Sequence, residues 1–313
     1  MRAAAASAVC LCAVCFVSAS RTPRANGADV HIQMMNVRLH ADEGVVLDVE
    51  HLDGLMVSRS RAAPVFDDQR SYFLQIDSAR LSMSIDSLQN LMNRHVFAYD
   101  GAPLKNVKLS IDGDRLKMSG TLNKAIDIPF SSKATVSAVP DGRIRLHVES
   151  MKALGIPAKG LLELFGLKLD DLVSLKNRRG VDVTADDILI APGQVLPPPE
   201  IRGRVTSVAL AGGRLTQVLG SGRPAKRLRL PSPSARNYIY FSGGTVTFGK
   251  LTMTDADLQL IDADPRDPFD FYPARYQAQL VAGYSKTLPN RGLKAHMPDY
   301  NDLQSPGRMI GRR

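Results

Sequence analysis

The acidic stretch TDADLQLIDADPRDPFDF, residues 254–271, is the densest group of side chains in the sequence that could do chemistry. Carboxylate oxygens suit Ca²⁺ and Mg²⁺, so these residues raise the hypothesis of a metal-dependent hydrolase. An EF-hand loop beginning at Asp262 needs glycine at position six and glutamate at position twelve, where the sequence has Asp267 and Pro273. The pattern therefore favours a strand running into a Pro-Asp turn, with its acids in solvent or paired with arginines. The six acids are Asp255, Asp257, Asp262, Asp264, Asp267 and Asp270.

Other catalytic and cofactor-binding patterns are missing from the sequence. Its histidines form no HxxH or HExxH pair, so each is interpreted as a structural or surface residue. Residues 220–225, GSGRPA, match a GxGxxA spacing, but Pro224 stands where a dinucleotide-binding helix would begin. A P-loop lysine and a GxSxG turn are also missing. We therefore predict no catalytic residue, no metal ligand, no cofactor and no enzymatic activity.

The N-terminal residues have the pattern of an export signal. Arg2 precedes the small and apolar run 3–17, and small residues suited to cleavage follow at 18–20 and 25–27. We interpret residues 1–27 as a signal peptide, with an N-terminal membrane anchor as the alternative. The expected location is the periplasm or cell envelope. All cysteines of the chain lie in this segment, so the mature protein would contain no disulfide: Cys10, Cys12 and Cys15.

The net charge of +9 falls to +6 if cleavage removes three arginines and no acid. The basic residues are spread over several groups, as is usual for a solvated surface, and they also suit an anionic membrane surface. Aromatic residues make up only 6% of the chain and tryptophan is absent, so platforms for stacking bases are scarce. Nucleic acid is therefore not an expected partner, and no protein partner is indicated.

Much of the chain alternates between apolar and polar residues with a period of two. Strands are predicted over 31–39, 45–52 and 72–85, and a helix over 87–97 has apolar residues at helical spacing. Three hairpins follow: one turns at Asp112-Gly113, one at Pro140-Asp141-Gly142, and a weaker one lies within 180–192. The pattern predicts an antiparallel sheet.

A leucine-rich stretch, ALGIPAKGLLELFGLKLDDLVSL, occupies residues 153–175. It is too short and too charged to span a membrane. Its helical pattern has an apolar stripe that widens toward a second face, with a break predicted near Gly166. One face is enough to pack against a sheet. The second face would line either a ligand groove or an ordinary core.

The last third of the chain is organised differently. Residues 196–204, LPPPEIRGR, are predicted to be irregular because three prolines remove backbone donors, and 220–236 reads as a linker or exposed loop. Residues 237–303 are a β-rich extension that either completes the sheet or forms a unit of its own, and 304–313 are a basic tail. The apolar phase changes at Gly249, which suggests a β-bulge.

The middle of the chain, residues 75–220, resembles the exported LmeA-like phospholipid-binding proteins, a branch of the tubular lipid-binding (TULIP) superfamily. The matching features are the helix over 87–97, the hairpins PLKNVKLSIDGDRLKMSGTL and IPFSSKATVSAVPDGRIRLHVESMKALGIP, and the helix KGLLELFGLKLDDLV. The resemblance implies an α+β fold over 28–219, in which a strongly curved antiparallel β-sheet wraps around long amphipathic helices and leaves a lipid-sized groove.

The resemblance also implies a function. The protein would bind a phospholipid or a similar amphiphile and sequester or ferry it in the bacterial cell envelope, with Arg94 or Lys159 near the headgroup. One alternative is an envelope scaffold or adaptor whose groove is filled by its own side chains; another is the metal-dependent hydrolase. The expected lipid-binding residues are Ile85, Leu88, Leu91, Met92, Leu161, Leu162, Leu164, Phe165 and Leu169.

Overall fold

The structure of the chain is a computed structural model in which strands dominate and helices are short. The strands form two sheets, here called sheet A and sheet B, with eleven and seven strands. The structure describes residues 29–102, 104–123, 127–154, 156–157, 180–184, 187–220 and 228–304.

Sheet A combines strands from both ends of the chain. Across the sheet they run in the order β12-β13-β3-β2-β1-β14-β15-β18-β17, with β11 beside β3 and β16 beside β1. The pairs β1–β16, β3–β11 and β15–β18 are parallel, and the others are antiparallel. The strands are β1 Val30–Asp42, β2 Val45–Ser58, β3 Tyr72–Ser84, β11 Glu200–Arg202, β12 Val205–Ala211, β13 Arg214–Gly220, β14 Tyr238–Phe248, β15 Leu251–Asp262, β16 Phe269–Phe271, β17 Tyr284–Thr287 and β18 Leu293–Met297.

Sheet B is built from the middle of the chain, and its described pairs are antiparallel. Its order is β4-β5-β6-β7-β10-β9, with β8 beside β7. The antiparallel sheet and the three hairpins predicted from the sequence are confirmed. The strands are β4 Leu104–Asp112, β5 Arg115–Asn123, β6 Asp127–Ala138, β7 Ile144–Ala153, β8 Ile156–Pro157, β9 Val181–Thr184 and β10 Asp187–Ile190.

The described helices are short, and α1 packs against β2 and β3 of sheet A and β4 of sheet B. Helix α1 begins where the Ser84 side chain accepts a hydrogen bond from the Ser87 backbone nitrogen at 3.1 Å, which satisfies one free donor of the first turn. A single π-helical turn, Met92–Val96, continues it. The helices are α1 Ile85–Leu91, α2 Pro192–Val195, α3 Tyr276–Ala282 and α4 Tyr300–Gln304.

The expected α+β fold, with a curved sheet wrapped around long amphipathic helices and an extra C-terminal extension, is wrong. No described helix exceeds seven residues, and the two sheets are open. The helix predicted over 87–97 begins at Ile85, and its α-helical part ends at Leu91. Several strands run longer than predicted, and the main core cluster joins side chains of sheet A to Ile144, Val136 and Ala138 of sheet B. The second predicted helix lies outside the described residues.

Residues 237–303 complete sheet A. Strand β14 pairs with β1, with His31 opposite Ser242, and β15 pairs with β14. The β-bulge predicted at Gly249 is wrong: Gly249 and Lys250 form a two-residue turn between Phe248 and Leu251. A tight turn reverses the chain, and this reversal accounts for the change of apolar phase.

Candidate functional site

An apolar cavity of about 100 Å³, here called the inter-sheet cavity, lies between sheets A and B. Sheet A contributes side chains from β2, β3, β11, β12 and β13, and sheet B contributes side chains from β4, β5, β6, β7 and β10. Gln217 supplies the only polar side chain among the described residues of its wall. The wall offers an apolar ligand many dispersion contacts and almost no directional hydrogen bonding. Characteristic wall residues are Leu81, Met83, Leu215, Leu116, Met118 and Ile144.

The structure places three of the predicted lipid-binding residues at this cavity. Leu88 and Leu91 reach it from α1, and Met92 reaches it from the following π-helical turn. Ile85 opens α1 but is not part of the wall. The remaining five lie outside the described residues: Leu161, Leu162, Leu164, Phe165 and Leu169.

Helix α2 closes one side of the cavity, and the sequence reasoning missed it. Its first residue is Pro192, which suits the first turn of a helix because no backbone donor is needed there. Gly193 packs so closely on β11 that a Cβ atom would lie 1.6 Å from the Ile201 carbonyl oxygen. Residues 200–202, predicted to be irregular, form β11. The Pro-Gly pair after an apolar strand was the available signal for a close-packed turn.

A polar pocket of about 370 Å³ adjoins the cavity, and we call it the arginine pocket. It shares Gly193 and Leu196 of the α2 region with the cavity wall. Three arginines and one glutamate provide its charged groups: Arg59, Arg70, Arg202 and Glu200.

The arginine pocket holds its glutamate in a fixed ion pair. Arg202 Nε donates to Glu200 Oε1 at 2.8 Å, and Arg59 Nη2 donates to Oε2. These hydrogen bonds, from Arg202 first and Arg59 second, lower the pKa of Glu200 to about 2. The Arg202 guanidinium lies 3.7 Å from the centre of the Phe73 ring, which orients it through a cation–π contact. The predicted headgroup residue Arg94 instead donates to the Glu43 carbonyl oxygen, and Lys159 lies outside the described residues.

The acidic stretch 254–271 does not converge on one point. Asp257 accepts hydrogen bonds from Tyr240 and Asn290, whereas Asp262 accepts from Asn237 at 2.8 Å. Within the described part of the chain, no group of three or more acids, histidines or cysteines is arranged to hold a metal ion. The hypothesis of a metal-dependent hydrolase therefore has no set of metal ligands among the described residues.

Part of this stretch instead belongs to a hydrogen-bonded group that we call the polar network, in which four residues are buried and Asn301 is exposed. The buried members are His40, Asp270, Gln279 and Asp299. His40 Nε2 lies 2.5 Å from Asp270 Oδ1, and Asn301 donates to the other oxygen of Asp270. The backbone nitrogen of Asp270 donates to Asp299 at 2.7 Å. Gln279 is fully buried and donates to the carbonyl oxygens of Asp270 and Pro298, each at 2.9 Å. The network fastens the C-terminal residues to β1.

Burial changes the acidity of two carboxyl groups in this region. It is the main cause that raises the pKa of Asp299 to about 7 and that of Asp262 to about 6. Hydrogen bonds from the backbone of Asp270 and from Asn237 act in the opposite direction and limit the rise. Both carboxyl groups accept hydrogen bonds from neighbouring residues, so we interpret them as structural acids.

Comparisons with known proteins give no relative from which a function could be transferred. The chain matches no protein-family model, no curated protein and no solved structure. None of the described helices has the length and apolar content needed to cross a membrane. The functional argument therefore depends on the site itself.

Proposed function

We propose that the protein is a non-enzymatic binding protein for a phospholipid or a similar amphiphile, whose apolar chain enters the inter-sheet cavity. The observation that carries this proposal is an apolar cavity lined from two sheets, from Leu88 and Leu91 of α1, and from Met92 of the following π-helical turn. Each methylene group that leaves water contributes about 0.8 kcal/mol. A chain could therefore be retained without a charged anchor inside the cavity.

The biological setting is part of the same proposal. The pattern of residues 1–27 supports export, and an exported protein meets lipid in the cell envelope. In that setting the protein would sequester the amphiphile or ferry it between membranes. Selection inside the cavity would depend on chain size, since its described wall offers little hydrogen bonding.

A cavity-filling substitution tests the proposal. Val136 lies in the cavity wall, and Val136→Phe would occupy the free volume. Thr135→Phe is the matched control, because neighbouring residues of a strand point to opposite faces. Uptake of a fluorescent phospholipid should fall in Val136→Phe and persist in Thr135→Phe. Native mass spectrometry of the wild-type protein purified from cells should show a bound amphiphile; repeated absence of both signals would contradict the function.

A second candidate function is an envelope scaffold whose groove is filled by its own side chains. The observation favouring it is the modest free volume of about 100 Å³. In this case Leu116→Ala would enlarge the cavity and destabilise the fold by about 2–5 kcal/mol without changing lipid uptake. Increased uptake by Leu116→Ala would favour the lipid-binding function instead.

A further inference from the structure

The arginine pocket lies where the polar end of a bound amphiphile would be expected. It shares Gly193 and Leu196 with the inter-sheet cavity, so the two spaces meet at the α2 region. Its volume of about 370 Å³ falls within the range of small-ligand sites, roughly 300–1,000 Å³. An apolar space and a cationic space therefore adjoin each other.

The charges of the pocket favour an anion. Three guanidinium groups face one carboxylate, which leaves an excess of two positive charges (three minus one). Glu200 stays ionised beside Arg59 and Arg202 and neutralises only one of them. Arg70 is exposed and has no ion pair among the described residues. The cation excess is thus a property of the folded pocket.

The guanidinium groups are positioned before any ligand binds. Arg202 is fixed by Glu200 and by the Phe73 ring, and Arg59 Nε donates to the Tyr72 carbonyl oxygen at 3.4 Å. Each of these two arginines retains N–H groups that no hydrogen bond within the described residues uses. Planar guanidinium donors match the oxygens of a phosphate group better than lysine does.

We propose that the arginine pocket binds the phosphate group of an amphiphile whose apolar chain lies in the inter-sheet cavity. This inference rests on the proposed lipid-binding function and specifies its ligand as a phosphate-bearing amphiphile. Arg70 and the remaining donors of Arg59 and Arg202 contact the phosphate, while Glu200 keeps the two paired guanidinium groups in place.

Binding measurements with three probes test the inference: a short-chain phosphatidic acid below its micellar concentration, a diacylglycerol with the same chains, and inorganic phosphate. Arg70→Gln removes a pocket charge from an exposed side chain, so folding should be retained. Arg61→Gln is the control, because it removes the same charge from an exposed position outside the pocket. Thermal melting checks that both variants fold.

The expected result is tighter binding of phosphatidic acid than of diacylglycerol, and a loss of about tenfold in Arg70→Gln for phosphatidic acid alone. Arg202→Lys, which keeps the charge but loses the planar donors, should weaken the same interaction. Arg61→Gln should behave like the wild-type protein.

Three outcomes would overturn the inference in different ways. Equal affinities for the two amphiphiles, or equal affinities of Arg70→Gln and Arg61→Gln for phosphatidic acid, would show that the pocket does not bind the phosphate group. The proposed lipid-binding function would not be contradicted by either result. Binding of inorganic phosphate as tightly as phosphatidic acid would make the pocket a phosphate site independent of the cavity. Binding of neither amphiphile would overturn the proposed function together with the inference.

Discussion

Apart from Gln217, the side chains of the described wall of the inter-sheet cavity are apolar, and they leave about 100 Å³ unfilled. The polar network, by contrast, buries carboxyl, amide and imidazole groups that contact one another. Within the described residues, no buried side-chain nitrogen or oxygen lacks a hydrogen-bond partner. The two regions therefore tolerate change differently. Aliphatic walls can adjust to a guest of variable shape, but a hydrogen-bonded cluster holds one geometry and penalises the loss of any member.

The largest expected effect is the loss of Asp270, which contacts both His40 and Asn301. Asp270→Ala leaves the buried His40 ring without its partner and also removes the contact with Asn301, and we expect it to lower the free energy of unfolding by about 3–5 kcal/mol. Urea unfolding measures the change. Asp267→Ala is the control, because Asp267 is exposed, and it should have little effect. Similar stabilities of the two variants would show that the network is not a rigid structural unit.

The second prediction is a pH dependence that originates in the polar network. The pKa of folded Asp299 is about 7, above its usual value of 3.8, so the folded state binds the proton more tightly. Its contribution to stability is complete below about pH 4 and is lost as the pH rises to about 7. The full change in pKa corresponds to about 4 kcal/mol, which solvent screening of this partly buried carboxyl group reduces to about 2–3 kcal/mol. Asp262, Asp267 and Asp270 reinforce the rise.

Asp299→Asn tests this pH dependence, because the amide accepts the hydrogen bond from Asp270 without titrating. Unfolding free energies measured between pH 4 and pH 7 should fall less steeply in the variant than in the wild-type protein. Equal slopes would assign the pH dependence to other groups.

The third prediction concerns the wall between the cavity and the arginine pocket. A Cβ at residue 193 would overlap the Ile201 carbonyl oxygen, so Gly193→Ala must displace α2 and should cost about 1–3 kcal/mol. The displacement of α2 should also reduce lipid uptake, because α2 belongs to the cavity wall. Gly220→Ala is the control, since its nearest neighbour, a Thr206 methyl group, would lie 3.7 Å away. If Gly193→Ala folds and takes up lipid as well as the wild-type protein, then the position of α2 does not affect lipid binding.

The smallest expected effect is at the start of α1. Ser84→Ala removes the side-chain acceptor for the Ser87 backbone nitrogen and should lower stability by about 1 kcal/mol. Ser78→Ala, within the same strand, is the control. Thermal melting measures stability, and the affinity for a fluorescent phospholipid reports whether fraying of α1 disturbs Leu88 and Leu91. If Ser84→Ala and Ser78→Ala have the same stability and lipid affinity, the cap does not contribute to the site.

Local patterns predicted the local structure well. Alternation and turn residues gave the hairpins of sheet B, and helical spacing placed Leu88, Leu91 and Met92 on an element that reaches the cavity. The fold class was wrong because the same apolar strand faces can be covered by a helix or by a second sheet, and periodicity does not distinguish these partners.

Long-range features of the site could not be read from the sequence. The arginine pocket joins Arg59 and Arg70 from one loop region with Glu200 and Arg202 from β11, and their separation in the chain hides their proximity. The polar network likewise brings His40 to Asp270. Its burial explains why acids that were expected in solvent lie inside the protein: partner side chains supply the hydrogen bonds that water would otherwise provide.

The pairing of β1 with β14 and β16 has a consequence for the order in which the chain can fold. Residue 31 lies opposite residue 242, and Val37 lies opposite Phe269, so sheet A cannot close until residues near 270 have been synthesised. Sheets that depend on such distant pairings form slowly because a long loop must be closed first. We expect the nascent chain to remain incompletely folded until most of its length has left the ribosome.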